Sequence, residues 1–156
     1  MNTITKTRPV SIGATMLEQP SDPRALVGRL QSAMAELPQV ELPTEHFFAN
    51  GMYARRLTIP KDSVIVGKAH KHEHLFMLMY GDLSVWVDGE IQRLKPGDTF
   101  VSSPGIKRVG LAHADSMCVT IHRTDSRDLE EIEAEIIVAE PGAFFDSANK
   151  LKAITP

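Results

Sequence analysis

From Met52 onward the chain reads as short runs in which apolar and polar residues alternate, broken every few residues by Gly, Pro or Asp. Met52 to Ile59 is one run, ended by Pro60 and the turn at Lys61-Asp62, and Ser63 to Gly67 is the next. A segment running through Tyr80, then Leu83 to Val87, Glu90 to Leu94, Thr99 to Ser102, Lys107 to Ala112 and Met117 to His122 follow in the same style. A period of two over four to eight residues predicts half-buried strands. The breaks are turn-formers: Gly81-Asp82, Asp88-Gly89 (a hairpin signal), Pro96-Gly97-Asp98 and Ser103-Pro104-Gly105. About eight short strands so closely spaced predict a mainly β, antiparallel sandwich or small barrel.

The period changes to that of a helix at both flanks. Ser21-Asp22-Pro23 offers a cap followed by proline at a first-turn position, and Leu26, Val27, Leu30, Met34 and Leu37 follow at helical spacing until Pro38. This predicts an amphipathic helix over 22–36, a surface for packing or self-association. Asp125 to Ala139 carries Leu129, Ile132 and Ile136 on one stripe, with Asp128, Glu130 and Glu131 at the end that favours negative charge. The expected organisation is therefore an arm and helix over 1–38, a β unit over 39–124 beginning with an extended stretch from Val40 to Phe48, and a helix and tail over 125–156. Together they form one globular domain. Residues 1–20 are expected to pack on a neighbour or to be partly disordered, and Phe144-Phe145 to anchor the tail.

Charge and composition exclude more than they assign. A net charge of -3 gives no general attraction to nucleic acid, so no nucleic-acid partner is expected. No run approaches the roughly 18 apolar residues of a membrane helix, and the first residues hold no apolar core of the signal-peptide kind. The one cysteine, Cys118, lies in a strand-like run and reads as a buried, inert thiol in a reducing compartment. These features predict a cytoplasmic protein.

The candidate chemistry sits in Gly67-Lys68-Ala69-His70-Lys71-His72-Glu73-His74. In an extended segment alternate side chains share a face, which puts His70, His72 and His74 together, and neutral imidazole is the commonest protein ligand for divalent metals. A straight strand spaces alternate Cα atoms roughly 6.5–7 Å apart. All three rings reach one ion only if the chain kinks between Ala69 and His72; otherwise two of them do. His122 falls in phase with Cys118 and Thr120 on the last strand. It is a further ligand or a general base if that face lines the interior, and a solvent-facing strand-end residue if it does not. Arg108 is either a grip for an anionic ligand or a surface charge after a turn. His46 is read as a packed or surface residue.

With these motifs in order, Gly51 to Arg123 resembles the cupin superfamily, small antiparallel barrels with a jelly-roll-like course. His70-Lys71-His72 is similar to the paired histidines of the first cupin motif and Gly81 to its closing glycine. Asp88-Gly89, Pro96-Gly97-Asp98 and Ser103-Pro104-Gly105 are similar to the turns that lead into the second. Two departures alter what the resemblance implies. His74 stands seven residues before Gly81, where the family has glutamate. Arg108 stands about three residues after Pro-Gly, where the family has its last histidine, and arginine does not ligate metals. The implied site is richer in nitrogen, as in cupins that hold iron with histidines alone. The sequence also resembles small stand-alone cupin-like proteins of phages and prophages, for which no activity follows.

The resemblance implies a divalent transition metal, Fe, Mn, Ni or Zn, held in the barrel by His70, His72 and His74 with His122 as a further candidate ligand, and a small anionic or polar ligand oriented by Arg108. Three functions remain open: a metal-dependent oxygenase, lyase or isomerase with His122 and Arg108 in the chemistry, a non-catalytic module for a small ligand or protein partner, and a barrel with a purely structural metal. Proteins of this architecture often pair, and a homo-oligomer, a dimer first, is expected.

Overall fold

A computed structural model describes residues 3–6, 22–87 and 89–153. Among these residues ten strands and two helices follow one another as β1 (Thr3–Lys6), α1 (Pro23–Ala35), β2 (Thr44–Ala49), β3 (Met52–Ile59), β4 (Ser63–Val66), β5 (His74–Tyr80), β6 (Leu83–Val87), β7 (Glu90–Leu94), β8 (Thr99–Ser102), β9 (Val109–Ala112), β10 (Ser116–Arg123) and α2 (Leu129–Ile136). One sheet has the order β1-β4-β9-β6-β7 and the other β2-β3-β10-β5-β8, and every pairing is antiparallel. From β3 to β10 the chain passes repeatedly between the sheets, which is the strand exchange of a double-sheet jelly roll. The expected mainly β, antiparallel, jelly-roll-like architecture with two flanking helices is thus the observed one.

Strand boundaries follow the alternation closely, because one face of each strand is buried. In β3 the inward residues are Tyr53, Arg55, Leu57 and Ile59; in β10 they are Ser116, Cys118, Thr120 and His122. Leu42, Leu57, Ile59, Ile65, Leu78, Leu83, Val85, Leu94, Cys118 and Phe145 form the apolar core between the sheets. Phe145 is thus the anchor expected of the tail. Burial drives the Cys118 thiol pKa up to about 12, which fits an inert core thiol.

Gly81 closes the β5–β6 turn at φ +98°, where a Cβ would come within 2.5 Å of the Ser116 Cα and 2.6 Å of the Asp115 carbonyl oxygen. Only glycine fits so close a backbone approach. The Asp88 half of the Asp88-Gly89 turn lies outside the described residues, as do residues 7–21 of the expected arm. The described part of that arm, β1, pairs with β4.

The helices are shorter and more selectively packed than their periodicity predicts. Asp22 caps α1 by accepting from the Arg24 amide at 3.0 Å, with Pro23 at the first turn. Of the predicted stripe only Val27 and Met34 are buried, against Val66, with Trp86 packed alongside; Leu26, Leu30 and Leu37 stay exposed. Asp128 caps α2 by accepting from the Glu130 and Glu131 amides, but the helix stops at Ile136 instead of reaching Ala139. Residues 136–138 leave it to pair with the histidine segment: Lys71 N donates to the Ile136 carbonyl at 2.8 Å, Val138 N to that of Ala69 at 2.9 Å, and His70 bridges Ile137. Tertiary pairing has overridden helix propensity there.

Candidate metal centre

The inward faces of the second sheet grade from dry to polar. Leu57, Cys118 and Leu78 form one cross-strand row, and Arg55, Thr120, Phe76 and Phe100 the next. Beyond it come Tyr53 paired with His122, and His74 paired with Ser102. His70 reaches this last level from the segment before β5, which is held by the residues after α2 and by Gly105, whose amide donates to the His70 carbonyl at 2.8 Å.

Three imidazoles meet there. One nitrogen from each of His70, His74 and His122 lies within 4.8 Å of the others, and all three residues are buried. Ring centroids are separated by 4.1 Å for His70–His74, 4.7 Å for His74–His122 and 5.1 Å for His70–His122. Among the described residues His70 Nε2 and His74 Nδ1 are buried without a hydrogen-bond partner, while Thr120 Oγ1 lies 3.0 Å from His122 Nε2 and orients that ring.

Burial removes the ordinary basicity of all three. It holds His70 far below the usual imidazole range, helped by His74 and Arg55. Burial lowers His122 to about 3, with Arg55 adding to it. It lowers His74 to about 4, with Arg108 and Arg55 adding and a backbone hydrogen bond at His72 opposing. Neutral imidazoles with unshared nitrogens are the form that ligates a metal, and buried polar atoms otherwise find partners. The residues present therefore fit a transition ion, and no carboxylate belongs to the group among the described residues.

The predicted residues separate as follows. His70, His74 and His122 come together; the chain bends at Lys71-His72, and this brings His70 and His74 onto one side while His72 stays exposed. His72 stands with Lys71, Glu73 and Pro104 on a cleft of about 590 Å³ that reaches His122. The Cys118–Thr120–His122 face does line the interior, so His122 is not a solvent-facing strand end. Arg108 is half-buried, donates from Nη1 to Ser102 Oγ and places its guanidinium carbon 5.0 Å from the Phe100 ring centroid.

Three neighbours were not singled out from the sequence. Arg55 is 4% exposed and lowers all three histidines. Tyr53 stacks on His122 and lies 2.8 Å through its hydroxyl from His46 Nδ1, so the packed histidine His46 belongs to the surround of the site. The signal for Arg55 is its place in phase with Tyr53, Leu57 and Ile59, an arginine on a core-facing register. The third, α2, carries no ligand yet fixes His70, and nothing local to 129–138 announces that.

No family model and no curated protein matches the sequence. Among solved structures the chain is similar to an RmlC-like cupin from Shewanella frigidimarina, at 22% identity over 56% of this chain and 79% of that one, with a TM-score of 0.47. It is also similar to KdgF from Halomonas sp. (21%, 56% and 82%, 0.49) and to a cupin superfamily protein from Desulfitobacterium hafniense (10%, 70% and 94%, 0.47). By its own strand order the fold is a double-sheet jelly roll.

Proposed function

We propose that this protein holds a divalent transition metal on His70, His74 and His122 and binds or acts on a small anionic or polar molecule at that metal. The observation that carries this is the convergence of three buried, neutral imidazoles, two of them with a nitrogen that no other described residue engages. Three protein ligands leave coordination positions open, the arrangement of catalytic rather than closed structural sites. An all-imidazole set suits Fe, Ni and Zn better than Mn, which prefers oxygen donors. When bound, such an ion supplies Lewis-acid activation of a ligand or water. The chain's own residues orient His122 through Thr120, restrict access to the cleft beside His122, and offer positive charge from Arg108. His122 serves here as a ligand, not as a base, and His72 as a rim residue.

A non-catalytic binding module is the second reading. It is favoured by the absence, among the described residues, of any carboxylate in the group to serve as a base. The partner in self-association is a second copy, supported by the outer face of the second sheet, where Phe47, Leu75 and Val101 stand exposed in one cross-strand row with Ala54 and Ile121.

The test is elemental analysis of untagged protein and single alanine variants. Near-stoichiometric Fe, Ni or Zn is expected in the parent and in His72→Ala, with about a tenfold or greater fall in affinity in His70→Ala, His74→Ala and His122→Ala. A parent that is metal-free and takes up none of these ions on reconstitution overturns the proposal.

A further inference from the structure

Two buried cations outside the histidine group have opposite fates. Lys68 is 5% exposed and finds a carboxylate, its Nζ donating to Glu133 Oε1. Arg55 is 4% exposed, yet its guanidinium makes no hydrogen bond or ion pair among the described residues, and its Nε is fully buried and unpartnered. An arginine cannot shed its charge as a buried lysine or histidine does. A buried cation without a counter-ion is strongly unfavourable, so its retention at a core-facing position calls for an anion that completes it.

Position says where that anion belongs. Arg55 pairs across to Thr120, one inward step from the row that holds His122, and its charge is felt by His70, His74 and His122. Successive inward residues on a strand stand about 7 Å apart, a span for a small molecule and not for a polymer. The charge balance agrees. A divalent ion on three neutral imidazoles brings two positive charges that no carboxylate of the group offsets, and Arg55 adds a third. A planar, forked guanidinium matches a carboxylate with two parallel hydrogen bonds.

We propose that Arg55 is the anchor of a carboxylate-binding subsite beside the histidine cluster, and that the ligand of this protein is a small carboxylate held by Arg55 at one end and facing the metal position at the other. This rests in part on the metal reading, but Arg55 can be examined without metal.

The experiment compares the parent, Arg55→Met and Arg55→Lys, each with and without metal, using succinate and glycolate as probes in thermal shift and calorimetric titration. The parent is expected to bind and be stabilised by at least one probe. Arg55→Met, with unchanged metal content, is expected to lose about tenfold or more in that affinity while melting no lower than the parent when ligand-free, since an unpaired buried charge has been removed. Arg55→Lys keeps the charge without the fork and should fall between them. Failure of both probes to bind the parent overturns the proposal. So does equal probe affinity in parent and Arg55→Met, or an Arg55→Met variant that unfolds while Arg55→Lys binds like the parent. If the parent takes up no metal, the metal reading fails alone. Probe protection of the metal-free parent that is lost in Arg55→Met then still upholds the Arg55 subsite.

Discussion

At the scale of single residues, the site is defined by groups kept out of their usual protonation state. His74 and His122 stay neutral down to about 4 and about 3, and His70 lower still, because burial disfavours their cationic forms. In the unfolded chain each takes up a proton near pH 6.5. Below that pH the unfolded state binds more protons than the folded one, so stability is fully present above about 6.5 and declines as the pH falls toward 4 and then 3. Each histidine adds a slope of about 1.4 kcal/mol per pH unit in that window. Urea unfolding of the metal-free protein between pH 7.5 and 4.5 should show this decline, flattened in His122→Gln. An unchanged midpoint across the range would contradict the burial of these rings.

At the scale of elements, the decisive one is α2. Ile132 is 2% exposed and Ile136 3%, packed with Tyr53 and Ile137, and the residues that follow clasp Ala69 to Lys71. Ile132→Ala should lower stability by about 2–5 kcal/mol and also weaken metal binding, although the residue is not one of the three histidines of the site. A calorimetric melt paired with a metal titration reads both effects; metal affinity untouched by a lowered melting temperature would separate the helix from the site. This is also where reading the sequence reached its limit. Alternation located the strands, because each must bury one face, but the phase of His122 with Cys118 and Thr120 left it open whether that face lined the interior, and only the packed sheet decides this. The same rule applied to His70-x-His72-x-His74 put His72 on the wrong side of the bend, since the bend is set by pairing with residues 136–138 far along the chain. Arg55 was legible in register but not in consequence, because its lack of a counter-ion among the described residues appears only once the chain is folded.

At the scale of the whole molecule, the outer face of the second sheet is the feature that the described residues leave without cover. Phe47, Ala54, Ile121, Leu75 and Val101 form one row across all five strands, and Phe47, Leu75 and Val101 are 46%, 40% and 58% exposed. A five-stranded face some 20 Å tall spans on the order of 500 Å² before side-chain relief, approaching the roughly 800 Å² that each partner gives to a stable interface. A dimer in sedimentation at about 10 µM, turned to monomer by the double variant Leu75→Lys and Val101→Lys, is the expected result; a monomeric parent would leave this face to another role. The pairing of β3 with β10 has a consequence in time. Tyr53 waits for His122, and His70 for Ile137, so nearly the whole domain must be synthesised before either contact can close. Pairings this distant along the chain are slow to form. Until they do, the nascent chain presents a strand of unpaired edge and an incomplete cluster of imidazoles, and any ion that enters afterwards meets a protein already folded around its seat.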